Sequence, residues 1–278
     1  MEDITDIGGA GNGGAGIRIT TVAERPELAS RLWDMKDSWP EFAQHDALAW
    51  LLYPRMVAEL PEYVLIATDG DEVVARGFSV PFAQHAPGRD GVLPAQGWDR
   101  ILMWAFSDLR RGARADTVSA IEISVAVDRQ GEGLSGRMLA AMRENAGARG
   151  FAEVVAPVRP SGKPAEPDTS IHEYAYRTRE DGLPHDPWLR VHVRAGGVID
   201  SVAPLSMTIT GSLEQWRDWT GLPFDTEGPV RVPGALAPVR CEPEQGFAVY
   251  VEPNVWVRHS LGSASGMESA SKGTDSAS

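Results

Sequence analysis

The sequence predicts a mixed α/β fold of the α+β type, with a central mixed sheet of about six to seven strands flanked by helices. Three observations carry that expectation. Over Thr117–Val127, Ile121, Ile123, Val125 and Val127 alternate with Glu122, Ser124 and Ala126, the period-two pattern of a strand. Glycines follow at 131, 133 and 136, and Leu134, Met138, Ala141 and Met142 then recur at helical spacing, so the strand feeds a helix through a glycine turn. The chain has 278 residues and is 42% hydrophobic, enough to bury a full core in one or two domains.

The remaining elements follow in order. Residues 1–16 are acidic and then Gly/Asn-rich, and 262–278 are rich in Ser, Gly and Ala. Both read as disordered tails around a single domain over 17–261, with no internal linker or repeat. Ile17–Val22 alternates as a first strand. Pro26 opens a helix bearing Leu28, Leu32, Trp33 and Met35, and a second helix runs from Asp46 to Leu60 with Leu48, Leu51, Leu52 and Met56 on one side. Strands over 63–68 and 72–79 flank Asp69-Gly70, a hairpin turn. Residues 80–112 read as an insertion: a loop, then a helix over 98–110. Beyond the helix at 136–149, residues 151–158 form the next strand. Ser170 to Glu173 is a capping box for a helix stopping near Gly182, and Asp186-Pro187 opens another that ends at Gly196. Val198–Thr210 is a strand interrupted by Pro204. Ser212 starts a short helix, and 247–251 with 255–258 supply the last strands. Residues 211–245 otherwise read as a second insertion.

Composition excludes several function classes. The net charge of −13 argues against a nucleic-acid partner held by a basic surface. A single cysteine, Cys241, leaves no intrachain disulfide and fits a reducing compartment. The N-terminus has no basic and apolar signal pattern, and no apolar run reaches the roughly 18 residues a membrane span requires. The expectation is a cytoplasmic protein with no membrane partner. The six histidines show no paired spacing, so no metal site is expected.

A glycine turn between strand and helix aims free N–H groups at one point, at the positive end of the helix dipole, and suits a phosphate. Gly131, Gly133 and Gly136 match a dinucleotide pattern. However, Asp128-Arg129-Gln130 separates strand from glycine, and the next strand ends in Arg159-Pro160 where a dinucleotide site needs a carboxylate. The stretch Val125-Ala-Val-Asp-Arg-Gln130-Gly-Glu-Gly133-Leu-Ser135 instead resembles the acetyl-CoA signature of the GNAT superfamily of N-acetyltransferases. Val127 stands where that family often has Pro, and Ser135 where it has Gly or Ala. The resemblance covers 17–210 and a closing strand near 246–258. It implies acetyl-CoA as co-substrate and no metal. The backbone of Gln130, Gly131, Glu132, Gly133, Leu134 and Ser135 would cradle the pyrophosphate, and Val125, Ala126 and Val127 would pair with the pantetheine arm. Arg129, Arg137, Arg159 and Lys163 are candidates for the 3′-phosphate.

Two residues are candidates for chemistry. Glu122 lies in a strand otherwise made of Ile, Val, Ala and Ser, where an unpaired carboxylate is costly. Either it pairs with a cation such as Arg76 on the neighbouring strand, or it faces a wet cleft and takes a proton from an ammonium, as the resemblance implies. His192, in His192-Val-Arg-Ala-Gly196, stands where the family carries Tyr-x-x-x-Gly with a general-acid tyrosine. As an imidazolium it would protonate the departing CoA thiolate; its other reading is a helix-end cation. The expected reaction is direct attack of a primary amine on the thioester, with a small-molecule amine as acceptor. A peptide or protein amine, or a non-catalytic acyl-CoA-binding module, are the alternatives. Oligomeric state is open, a homodimer being one state the sequence allows.

Overall fold

β-Branched and alternating segments assemble into one nine-stranded sheet in the computed structural model, which describes residues 16–262. The tails expected over 1–16 and 262–278 lie outside those residues except for Gly16 and Gly262. The strands are β1 (Arg18–Thr21), β2 (Val64–Asp69), β3 (Glu72–Phe82), β4 (Thr117–Val125), β5 (Glu153–Val158), β6 (Val198–Ser212), β7 (Gly228–Val230), β8 (Val239–Glu242) and β9 (Phe247–Ser260). Their order is β1-β2-β3-β4-β5-β9-β8-β7, with β6 on the far edge of β9. The helices are α1 (Ala47–Glu59), α2 (Gly97–Arg111), α3 (Leu134–Ala148), α4 (Ile171–Tyr174), α5 (Pro187–Arg194) and α6 (Leu213–Thr220). No helix among the described residues is long and apolar enough to cross a membrane.

Two irregularities of the sheet create the site. Among the described residues, β4 and β5 are the one parallel pair, and they pair only at Val118–Val154 and Ser119–Val155. Beyond that point β4 runs on to Val125 and β5 to Val158, so the strands part and leave a wedge. The second irregularity is on β9. Its β5-facing edge pairs with β5 through 255–260 and with β8 through 247–249, so residues 250–254 have no strand among the described residues beside them on that edge. Helix α3 anchors one side of the wedge by burying Leu134, Met138, Leu139, Met142 and Ala146. Full burial of each larger side chain contributes about 1.5–3 kcal/mol. Helix α2 does the same with Trp98, Ile101, Leu102 and Phe106.

The structure corrects several boundaries. Residues 26–33 form a 3-10 helix. Helix α4 spans four residues and stops well short of Gly182, because the chain doubles back and Thr178 bridges to Pro184. Strand β6 passes through Pro204, which has no N–H to give a ladder, at a register shift between Ala203 and Met207. Strand β9 is continuous where two strands were expected. Residues 211–245 carry α6, β7 and β8, which is why the sheet exceeds seven strands.

Candidate active site

The glycine turn after β4 forms one mouth of the wedge. Gly131 (φ 88°) and Gly133 (φ 77°) hold left-handed backbone that a side chain would strain, and they turn the chain into α3. Gly133 is the N-cap and offers no side chain to bond the first turn. Among the described residues, no N–H from Gln130 through Gly136 has an acceptor, so a row of donors is left at the positive end of α3. A cavity of about 650 Å³ lies against them, lined by Gln130, Gly131, Gly133, Leu134 and Ser135 on one side and by Trp188 and Val191 of α5 on the other.

Backbone groups of β4 face this cavity in part. Ala126 donates its N–H to Val74 O (2.9 Å) and Val127 donates to Lys36 O (3.2 Å), so the N–H groups of two of the three residues expected to pair with the pantetheine arm are already committed within the chain. Antiparallel alternation makes Ala126–Val74 a hydrogen-bonded pair and turns Val125 and Ile123 toward the wedge instead. Both of these line the smaller cavity. Of the candidate cations, Lys163 is buried, its Nζ donating to Glu166 O and Leu236 O (2.7 Å each), which removes it from any phosphate. Arg159 donates to Glu252 and Gly234 O, and Arg129 pairs with Asp69 and Glu132. Arg137 remains exposed, donating to Ile17 O.

A second cavity of about 910 Å³ opens from the wedge toward α1 and the gap on β9. It shares Asp37, Trp39, Ile123, Arg159 and Trp188 with the first, so the two meet at these residues. Five of the nine tryptophans line the larger cavity: Trp33, Trp39, Trp50, Trp98 and Trp188. Glu122 lies in its wall with a side chain 3% exposed. Arg76 Nε donates to Glu122 Oε1 (2.8 Å), as does Ser124 Oγ (2.7 Å), and Trp39 Nε1 donates to Ser124 Oγ (3.0 Å). The same guanidinium donates through Nη2 to Asp37 Oδ2 (2.6 Å) and through Nη1 to Leu32 O (3.1 Å). One arginine therefore bridges two carboxylates at the wall of one cavity. Burial, with the charge of Glu122 beside it, pushes the Tyr53 phenol well above its ordinary value, so it stays protonated against that carboxylate.

His192 also lines the larger cavity. Its Nδ1 is 2.9 Å from His259 Nε2 on β9, and its ring stands edge-on to Trp188 one turn earlier on α5. Burial, reinforced by His259 and the charge of Arg143, pushes His192 down to about 3, so it is neutral at physiological pH and not the imidazolium the sequence suggested. The structure thus brings Glu122 and His192 to one cavity and the glycine turn to its neighbour. Sequence reasoning missed Asp37, Tyr53 and the buried Glu252, which faces the cavity through the gap on β9. Tyr53 lies inside a helix whose apolar stripe pointed elsewhere. Asp37 lies in a short irregular stretch with no periodicity to read.

No protein-family profile matches the chain. It is 32% identical over 279 residues to the arginine N-acetyltransferase avaD of Aspergillus versicolor, covering 88% of this chain and 94% of that protein. Among solved structures, it resembles the loading GNATL domain of CurA from Lyngbya majuscula, with a TM-score of 0.55 at 18% identity over 88% of this chain and 96% of that one. It also resembles the GphF GNAT-like decarboxylase in complex with isobutyryl-CoA, with a TM-score of 0.50 at 13% identity over 88% of this chain and 98% of that one. The splayed β4–β5 pair, the glycine turn into α3 and the curated relative agree: the chain belongs to the GNAT superfamily and is an N-acyltransferase.

Proposed function

We propose that the protein transfers an acetyl group from acetyl-CoA to the primary amine of a small molecule, with arginine, the substrate in the relative's name, as the first acceptor to test. The observation that carries this reading is the meeting of two cavities in the wedge. The smaller one borders a row of unpartnered N–H groups suited to a pyrophosphate, and the larger one is walled by carboxylates and aromatic rings suited to a cationic amine. The residues present fit the co-substrate: Gln130 to Ser135 hold the phosphates, and the free edge of β4 at Ile123 and Val125 takes the pantetheine arm. An acyl group reaching the shared residues Asp37, Trp39 and Ile123 meets an amine held in the larger cavity.

Glu122 takes the ammonium proton, and Arg76 and Ser124 fix its carboxylate for that purpose. The amine then attacks the thioester carbon directly. Cys241 supports direct transfer over a covalent enzyme intermediate: it is fully buried in β8, outside the lining of either cavity, and burial pushes its thiol up, away from a nucleophilic thiolate. A thermal shift tests the co-substrate. With a Kd of about 1 µM, acetyl-CoA at about 100 µM adds about 2.7 kcal/mol to stability. Absence of a shift with acetyl-CoA and CoA alike removes the reading.

A further inference from the structure

His192 and His259 share one hydrogen bond and therefore one proton between Nδ1 and Nε2. Two arrangements satisfy that bond. If His192 Nδ1 donates, His259 carries its own single N–H proton on Nδ1, a nitrogen that is sealed from solvent and has no partner among the described residues. A buried, unpartnered N–H is the costlier defect; a buried lone pair is tolerated more readily. If His259 Nε2 donates, His259 Nδ1 is only a lone pair and His192 carries its proton on Nε2. That nitrogen makes no hydrogen bond within the described residues, is not sealed, and belongs to a ring lining the larger cavity. We propose that His259 is a positioning residue that fixes His192 as its Nε2–H tautomer, so that His192 presents a neutral N–H donor to the acyl-transfer cavity.

This inference rests on the acyl-transfer reading and assigns His192 its part in it. Burial also pushes His259 down, to about 4, with the charge of Arg143 adding to the effect, so the pair stays neutral at physiological pH. A neutral imidazole cannot give up its N–H proton without becoming an imidazolate, so His192 acts by hydrogen bonding alone, stabilising negative charge that develops as the thioester is attacked. The C–N bond forms, the C–S bond breaks and its electron pair leaves on sulfur. One ammonium proton goes to Glu122, the second amine proton ends on sulfur as the free thiol, and His192 keeps its own.

The test is long-range proton–nitrogen NMR of the wild-type protein labelled with ¹⁵N-histidine, the rings being assigned with His192→Gln and His259→Gln. The expected spectrum at pH 7 has His192 protonated on Nε2 and bare on Nδ1, with no gain of charge down to pH 5. An Nδ1–H tautomer or an imidazolium at pH 7 overturns the proposal. Kinetics with acetyl-CoA and arginine add a second readout. His192→Leu lowers kcat by about 100-fold with acetyl-CoA binding retained, and His192→Gln, which keeps an amide donor, recovers at least about tenfold of that loss. His259→Leu follows His192→Leu, and His259→Gln restores. Equal loss in the Leu and Gln variants at position 192 overturns the donor role. A wild-type protein with the expected tautomer that acetylates no amine instead contradicts the acyl-transfer reading and leaves the tautomer assignment standing.

Discussion

Arg76 holds Glu122 and Asp37 on one guanidinium, and this shared cation decides what each carboxylate can do. Glu122 has one oxygen occupied by two donors, whereas Asp37, 15% exposed, sits where the two cavities meet. Replacing Glu122 by Gln is expected to lower kcat by about 10²–10⁴-fold with the acetyl-CoA thermal shift unchanged, because it removes the proton acceptor and leaves the phosphate cradle intact. Full turnover in that variant would assign the base elsewhere. Asp99 makes a separate prediction about pH. Burial, with the charges of Asp46 and Glu252 adding to it, raises its pKa to about 7, and its Oδ1 has no partner among the described residues. The folded state then binds a proton that the unfolded state has released. The stability tied to the protonated form is complete below about pH 4 and is lost as pH rises toward about 7. Asp99→Asn should therefore gain stability over the wild type progressively across that window in thermal melts; a gain equal at pH 4 and pH 8 would contradict the shift. At this scale the sequence was informative where chemistry was local. A lone carboxylate in an apolar strand had to find a cation or a cleft, and Glu122 has both. Asp37 was invisible because its role depends on Arg76, 39 positions away, which no spacing rule connects to it.

Elements were legible where a local signal fixes a boundary. Asp186 accepts from Trp188 N and Leu189 N (2.9 Å each) ahead of Pro187, and Ser212 with Gln215 closes a full capping box, so α5 and α6 start where the sequence placed them. Boundaries set by tertiary pairing were not legible. Strand β9 is continuous because β6 accompanies it along almost its whole length, which no pattern within 247–260 announces. In α1, Leu51, expected on the apolar side, is 60% exposed, and its neighbour Trp50, 80% exposed, lines the larger cavity. The glycine turn gives a test at this scale. A Cβ on Gly133 would touch nothing within 4 Å, but its φ of 77° is left-handed, so Gly133→Ala should cost about 1–2 kcal/mol through backbone strain and weaken acetyl-CoA. Gly136 sits in regular helix and its nearest Cβ neighbour is Val191 Cγ1 at 4.0 Å. Gly136→Ala should leave both properties intact, and equivalent losses in the two variants, read by chemical denaturation and acetyl-CoA titration, would show that the turn geometry is not what binds.

For the whole molecule, function follows from a sheet that fails to close at one place. The strands β4 and β5 pair only at Val118–Val154 and Ser119–Val155 before parting, and the stretch of β9 at 250–254, which pairs with β6 but has no strand among the described residues on its β5-facing edge, widens the opening. Residues 80–112, expected to be an insertion, begin inside β3 and carry α2, which adds Trp98, whose Nε1 donates to Ile121 O (3.2 Å) at the base of the wedge. By contrast, no residue of 211–245 lines either cavity; that segment extends the sheet. On the proposed reading, acyl donor and amine approach from different mouths and meet near Ile123. Free-thiol release with acetyl-CoA across an amine panel that includes arginine, with the acetylated product identified by mass spectrometry, tests this most directly. The account predicts thiol and N-acetylated amine in equal amounts from the wild type, and a loss of both in Glu122→Gln. Saturable acetyl-CoA binding without amine-dependent thiol release from any member of the panel would contradict it.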